Sequence, residues 1–246
     1  MSFIVNSDIR IFPTPYELAE KFAEEMVTLA DEYEKAGSCM TIALSGGSTP
    51  ELLFSVLGDH FSRSVNWEIV HFFWGDERCV PPDDPESNFG MVQRSLFRKI
   101  GIPASNLHRI RGESDPSGEA LRYSLEVEEH TTKKYGWPVF DLIILGLGED
   151  GHTASIFPSN VTLLESENIC EVAIHPASGQ KRITLTGRVL NNAVRVAFLV
   201  TGSKKAGIVE KILKSQSSAQ NYPASFIVPS YGELTWFLDR EAASLL

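Results

Sequence analysis

The sequence predicts an α/β fold: a mainly parallel central sheet with helices on both faces, Rossmann-like in plan, with a few extra short strands in the C-terminal third. Three observations carry that expectation. Short runs that are apolar throughout alternate with amphipathic segments of helical period, as strands buried on both faces require. Each of the four main runs empties into a polar loop carrying glycine at or near the strand end. The composition is that of an ordinary globular chain, 246 residues with 43% apolar and 22% charged, too apolar for disorder. No internal repeat, low-complexity tract or Gly/Ser-rich linker divides it, so residues 1–246 read as a single domain.

The elements follow in order. Thr14-Pro15-Tyr16-Glu17 is a helix start, with Thr14 as N-cap, Pro15 in the first helical position and Glu17 closing a capping box. Leu18, Phe22, Met26, Leu29 and Tyr33 line one face, and Gly37 ends the helix. Met40–Leu44 has the length of a buried strand, and Thr49-Pro50 repeats the cap-then-proline signature for a second helix. A strand over 68–74 leads into a polar, proline-rich loop, then helices over 88–99 and 117–135. Further apolar runs occupy 140–145 and 194–200, the latter opening into a helix over 204–214. Shorter strands are expected at 169–174, 182–186 and 234–238.

Charge and cysteine usage narrow the function. With 22 Lys+Arg against 32 Asp+Glu the net charge is −10, which disfavours non-specific binding to nucleic acid or an acidic membrane. A small phosphorylated substrate remains compatible, because it needs only a local cluster of donors. Cys39, Cys79 and Cys170 are far apart and form neither a disulfide framework nor a metal pattern. No apolar run approaches the ~18 residues of a membrane span, and Met1-Ser2-Phe3 opens without a basic leader region. A cytoplasmic protein is expected.

In open parallel sheets ligands bind beyond the carboxyl ends of the strands, and four loops there carry unusual polar content. Ser45-Gly46-Gly47-Ser48-Thr49 has paired glycines, two kinds of hydroxyl and a helix start behind it, which suits an anion; a tight strand-to-helix turn is the plainer alternative. Trp74-Gly75-Asp76-Glu77-Arg78-Cys79 puts Asp76 and Arg78 at the rim of the sheet. Arg78 would bind a phosphate or an oxyanion through its planar fork, or pair with Asp76 or Glu77. Cys79 reads as a buried small hydrophobe rather than a nucleophile.

Gly146-Leu147-Gly148-Glu149-Asp150-Gly151-His152 formally matches a dinucleotide fingerprint. Glu149 and Asp150 would repel a pyrophosphate, and Pro158 interrupts a long helix, so that reading is rejected. His152 is the stronger signal: a group that titrates near neutrality, two residues after an acid, in a glycine-flanked turn. Thr201-Gly202-Ser203-Lys204-Lys205 places two lysines at a helix start, where they oppose the dipole unless an anion is present. Lys204 or Lys205, with weaker support from Arg182, would supply a cation. None of the six histidines falls into a metal-ligand spacing, and Ser45 and Ser48 lie in no nucleophile elbow, so metal-free, cofactor-free acid/base chemistry is expected.

These residues together carry a resemblance. Leu44 to Pro50, Trp74 to Pro81, Gly146 to Pro158, Arg182-Ile183-Thr184-Leu185-Thr186, Tyr222-Pro223-Ala224-Ser225 and Trp236-Phe237-Leu238-Asp239 resemble, in order and over nearly the whole chain, the 6-phosphogluconolactonase branch of the glucosamine-6-phosphate isomerase/6-phosphogluconolactonase family. The deaminase branch carries a Glu five residues after the shared histidine; here that position is Phe157, which transfers no proton. The resemblance implies hydrolysis of 6-phospho-D-glucono-1,5-lactone in the oxidative pentose phosphate pathway by a monomer. It implies His152 as the base, through Nε2 or Nδ1, and Asp150 as its orienting partner. Ser45, Gly46, Gly47, Ser48, Asp76, Arg78, Gly148, Arg182 and Lys205 become the substrate and phosphate site. The oxyanion donor stays open between Arg78 and backbone N–H groups of the turn at 148–151. Deaminase-type chemistry and a silent sugar-phosphate sensor are the rival readings; the short stretch before the first helix leaves no room for a DNA-binding module.

Overall fold

In the computed structural model the apolar runs become the middle of a sheet. It describes residues 8–214 and 217–246; the opening Met1-Ser2-Phe3 lies outside them. In chain order, β1 (Asp8–Phe12) leads to α1 (Pro15–Lys35), β2 (Met40–Leu44), α2 (Ser48–His60) and β3 (Val70–Trp74). Then come β4 (Asp76–Arg78), α3 (Asn88–Val92), α4 (Pro116–His130), β5 (Thr132–Lys134), β6 (Trp137–Val139) and β7 (Leu142–Leu145). The chain closes with β8 (Cys170–Ile174), β9 (Lys181–Leu185), α5 (Gly187–Leu190), β10 (Arg195–Val200), α6 (Ala206–Leu213) and β11 (Glu233–Asp239).

Six strands form one sheet in the order β1-β11-β10-β7-β2-β3, and each neighbouring pair is parallel. All residues of β2 and β7 are buried, as uninterrupted apolar runs require. From β2 the chain moves outward to β3, then returns to the other side of β2 for β7 and β10. The order therefore reverses between β2 and β7. Loops leaving the two strands diverge there, and the crevice between them is where an open sheet binds its ligand. Asp141 fixes the pair: its carboxylate accepts from the Thr41 N–H at 2.7 Å, the Thr41 hydroxyl at 2.8 Å and the Tyr33 hydroxyl at 2.6 Å.

Several expectations need correction. The strand expected at 234–238 is not an accessory: β11 lies inside the main sheet, between β1 and β10, and β1 had no expectation at all. Three short strands form a separate antiparallel sheet, β4-β9-β8, and one of them, β4, comes from the stretch read as a polar loop. Its carboxylates are satisfied locally, which lets a charged triplet run as a strand. The helix expected over 117–135 stops at His130, and a β5–β6 hairpin follows. Tyr135 and Gly136 turn it with φ of 54° and 84°, the paired positive values of a tight hairpin turn. The helix expected over 88–99 is α3 continued by a π-helical turn over Gln93–Phe97. α2 begins two residues earlier than its Thr49-Pro50 signature suggests, with Gly47 as its cap residue at φ 101°.

β3 is the sheet's edge strand, and buried side chains protect it. His108 donates its backbone N–H to the Phe72 carbonyl at 2.9 Å. The hydroxyl of Tyr123, fully buried on α4, accepts from the Trp74 N–H at 2.8 Å and donates to the Trp74 carbonyl at 2.9 Å. This anchor stands immediately before the loop that carries Asp76 and Arg78. Tyr123→Phe leaves both Trp74 groups buried without a partner and is expected to lower unfolding stability by about 1–3 kcal/mol. An unchanged urea midpoint in that variant would show that the edge is satisfied in some other way.

Candidate active site

The glycine-rich loop after β2 ends in a helix whose first donors are free. The Gly47 cap supplies no side-chain acceptor, and Pro50 has no N–H, so the N–H groups of Ser48 and Thr49 face outward at the positive end of α2. Thr49 Oγ1 lies 2.7 Å from Thr201 Oγ1, joining this loop to the one after β10. A cavity of about 160 Å³ opens here, with Gly46, Gly47, Ser48, Gly146, Thr201 and Lys205 in its wall. Lys205 is the one charged side chain lining it. Burial, then Lys204, push the Lys205 ammonium down, while Glu149 and Asp150 push it up. Lys204 is exposed and outside the cavity wall, so the choice between the two lysines falls on Lys205.

The loop after β7 is a closed turn. Gly148 donates its N–H to the His152 carbonyl at 2.8 Å, and Gly151 donates to the Gly148 carbonyl at 3.1 Å. A Cβ on Gly148 would fall 2.1 Å from His152 Nδ1, and one on Gly151 2.5 Å from the Tyr222 ring. Gly151 also has φ 82°, so glycine is required twice over at that position. Ala154 just beyond sits at φ 47°, a conformation that costs an L-residue energy and clusters at functional sites.

Inside the turn Asp150 Oδ1 lies 2.5 Å from His152 Nδ1 and accepts the His152 backbone N–H at 3.1 Å. Burial alone would raise the Asp150 carboxyl; the His152 hydrogen bonds and charge outweigh it and bring it to about 2. With the carboxylate holding the proton on Nδ1, Nε2 is the ring nitrogen that carries the lone pair. The imidazole remains 26% exposed, enough for a water molecule to reach it. Phe157, fully buried, packs its ring 4.7 Å from that of His152 and 5.2 Å from that of His175.

The loop after β3 divides its charges between support and reaction. Glu77, 2% exposed, accepts the backbone N–H groups of Arg78, Asn88 and Phe89 at 2.8 Å each and the Ser87 hydroxyl at 3.0 Å. It therefore braces the start of α3, with burial raising its carboxyl and those N–H groups opposing. Asp76, also buried, accepts the Ser155 hydroxyl at 2.6 Å, which ties this loop to the His152 loop. Asn88 Nδ2 donates to the Asp76 carbonyl at 2.9 Å, and Asn88 packs so close that a Cβ on Gly46 would fall 1.9 Å from its Oδ1. Burial pushes the Cys79 thiol up to about 11, which suits an inert side chain.

Arg78 stands directly across the β4–β9 ladder from Arg182. Like charges in that register repel. Neither forms a salt bridge among the described residues, so the alternative pairing of Arg78 with Asp76 or Glu77 is not found. Arg78 donates Nη1 to the Glu86 carbonyl at 2.6 Å, and its buried Nε has no partner. Arg182 lies over the Phe157 ring at 5.6 Å; burial lowers its pKa, Asp76 raises it and Arg78 lowers it again. Arg182 Nε donates to Gln180 Oε1 at 3.3 Å, so each guanidinium keeps a hydrogen bond and neither has an ion pair; such a pair suits binding of an anion.

The structure thus gathers Gly46, Gly47, Ser48 and Lys205 around one cavity and places the Asp150–His152 pair, backed by Gly148, within electrostatic reach of Lys205. Ser45, Asp76, Arg78 and Arg182 are not in that cavity's wall; Ser45 turns its hydroxyl to the Gly46 carbonyl at 3.2 Å, and Asp76 serves as a tie. Sequence reasoning missed Ser155, Asn88, His175 and Asp239. Asp239, 2% exposed, accepts the Gly202 N–H at 3.0 Å and the Ala242 N–H at 2.7 Å, holding the Lys205 loop. A single acid closing an apolar strand was its one signal. A larger cavity, about 510 Å³, lies elsewhere, lined by His108, Glu126 and three arginines, and holds none of the residues at the strand ends.

Comparison with known proteins shows the family. The family model described as glucosamine-6-phosphate isomerases/6-phosphogluconolactonase matches residues 13–236. The chain is 45% identical over 236 residues to a 6-phosphogluconolactonase of Haemophilus influenzae, covering 96% of this chain and 98% of that one. It is 40% identical over 197 residues to one from Treponema pallidum, covering 80% and 82%. The solved 6-phosphogluconolactonase of Trypanosoma brucei superposes with a TM-score of 0.87 at 28% identity, over 98% of this chain and 99% of that one. The chain belongs to the glucosamine-6-phosphate isomerase/6-phosphogluconolactonase family.

Proposed function

We propose that this chain hydrolyses 6-phospho-D-glucono-1,5-lactone to 6-phosphogluconate, the step that follows oxidation of glucose 6-phosphate, with His152 as the proton carrier. The observation that carries this reading is the 2.5 Å Asp150–His152 contact, on the same edge of the sheet as the cavity that Lys205 lines. The uncapped start of α2 and Lys205 hold the 6-phosphate. That anchor fixes the ring without touching the bond that breaks, so its binding energy goes into positioning.

His152 Nε2 takes a proton from water as the water oxygen bonds to the lactone C1, and the carbonyl electrons move onto oxygen. Gly148, Gly151 and His152 have already committed their N–H groups within the turn. Arg78, whose Nε has no partner, is the side chain we assign to the oxyanion, with Arg182 across the ladder from it and the N–H groups of Glu149 and Asp150 as the remaining backbone donors of the turn. Collapse of the tetrahedral intermediate breaks the bond between C1 and the ring oxygen, and the imidazolium returns its proton to that oxygen. Asp150 stabilises the transient cation. Phe157, where the deaminases carry their Glu, leaves no second acid beside His152 for ring-opening chemistry. One domain acting as a cytoplasmic monomer completes the reading.

Turnover of freshly made lactone, measured above its spontaneous hydrolysis, is the direct test. His152→Ala is expected to lower kcat by about 10²–10⁴-fold while KM changes little; turnover close to the parent would remove His152 from the mechanism. Lys205→Ala loses a charge-assisted contact, so KM and the inhibition constant of 6-phosphogluconate should both rise about 10–100-fold. Unchanged product inhibition would place the phosphate elsewhere.

The carboxylate of the dyad has a pH signature of its own. Asp150 has a depressed pKa of about 2, so its stabilising contact is present above the ordinary carboxylate range, near ~3.9, and is lost only as pH falls through about 2. Asp150→Asn removes the anion that orients the His152 ring and stabilises the transient cation, and is expected to reduce kcat with little change in KM. A kcat equal to the parent's while the variant remains folded would show that the carboxylate does not act through His152.

A further inference from the structure

Three histidines and a glutamate meet away from the strand ends that carry His152. His71, on β3, has its Nδ1 3.0 Å from Nε2 of His108, and the two rings stack at 5.3 Å. His108, 3% exposed, has its Nδ1 2.7 Å from Glu126 Oε1 on α4. His130, one turn further along α4, holds its ring 4.3 Å from that of His108. A ring nitrogen from His108, one from His130 and an oxygen from Glu126 lie within 4.8 Å of one another. We propose that His108, Glu126 and His130 form a binding site for a divalent transition-metal ion, zinc foremost, with water as the fourth ligand.

The donor set argues for that class of ion. Two imidazoles and one carboxylate suit zinc, cobalt or nickel, whereas calcium and magnesium take oxygen. The four-residue spacing puts Glu126 and His130 on one face of α4, and the buried His108 comes from the segment beneath. Sequence spacing hid the set, because His108 is remote from the other two along the chain.

The surroundings are those of a metal site's outer shell. Glu126 Oε2 accepts from Arg122 Nη1 at 2.9 Å, and His130 Nδ1 lies 3.0 Å from the Glu126 carbonyl. Arg122 does not leave a cation beside the ion, because Glu119 clasps its guanidinium with two bonds of 2.7 Å. His71 supplies a tautomer relay. Without the ion, His108 donates Nδ1–H to Glu126 and accepts from His71 Nδ1–H. With the ion on His108 Nδ1, the proton resides on Nε2 and is donated to His71 Nδ1, whose own proton moves to its Nε2. Both rings stay neutral, and no net proton is lost. The cavity of about 510 Å³ has His108 and Glu126 in its wall, which provides an entry path and room for the water ligand. The ion would staple α4 to β3 and the 107–109 segment, beside the Tyr123 anchor.

Chelator-stripped full-length protein titrated with zinc by calorimetry, and with cobalt by absorption spectroscopy, tests the site. The expected result is one zinc per chain at this site, tetrahedral cobalt bands and a higher melting temperature with zinc. His130→Ala lies at a partly exposed helix end and should fold; it is expected to lose the cobalt bands and weaken zinc binding by about 100-fold, with Glu126→Gln behaving alike. His71→Asn should weaken zinc about 10–100-fold as an outer-shell change. His152→Ala should keep both signals, which separates this site from the Asp150–His152 pair. No zinc binding by the stripped protein overturns the proposal. So does binding that survives both His130→Ala and Glu126→Gln, or that disappears in His152→Ala.

Discussion

The short bond between Asp150 and His152 is the contact on which the proposed chemistry depends, and a five-residue turn enforces it. Once Gly148 donates back to the His152 carbonyl, the carboxylate two residues earlier has little choice but to meet the imidazole. The glycines are there for space: His152 and Tyr222 occupy the positions that Cβ atoms would take. A turn that hydrogen-bonds to itself also needs few partners from outside, so it can sit at the open end of a sheet and keep its shape.

Everything around that turn serves to bring three other loops to it. Buried polar ties do this, each with all its partners named: Asp76 to Ser155, Glu77 to the start of α3, Asp239 to Gly202, Thr49 to Thr201. Such ties are costly when half satisfied and rigid when complete. The positive groups nearby are different in kind. The first turn of α2 has no side-chain cap, the Arg78 Nε has no partner, and Arg78 and Arg182 face each other across the β4–β9 ladder. In the proposed reading these local donors are what let a chain of net charge −10 hold a phosphate ester.

The same division explains why acidic residues adjacent in sequence have separate duties. Asp76 and Glu77 are neighbours pointing to opposite sides of β4, one toward the His152 loop and one toward α3. Of the acids on these two loops, Asp150 is the one that meets an imidazole within hydrogen-bond reach, which is why the proposed proton chemistry falls to it. Burial and partner, more than residue type, assign the role.

Much of this was written in local patterns. Uninterrupted apolar runs identified the interior strands, because a parallel strand covered on both faces has no polar period to show. Glycine and hydroxyl content singled out the loop that lines the smaller cavity, and an acid two residues before a histidine singled out the pair that the fold brings into contact. What the chain could not disclose locally was decided by pairing at a distance. β1 and β4 are charged and short, so nothing but their partners makes them strands. The choice of Lys205 over Lys204 depends on which way the first turn of a helix faces. Ser155, Asn88 and Asp239 act only through contacts with residues far along the chain, and His108 meets Glu126 and His130 only because α4 packs beneath β3. Composition and period determine which segments hide from water; the sheet order, by reversing between β2 and β7, determines which loops become neighbours.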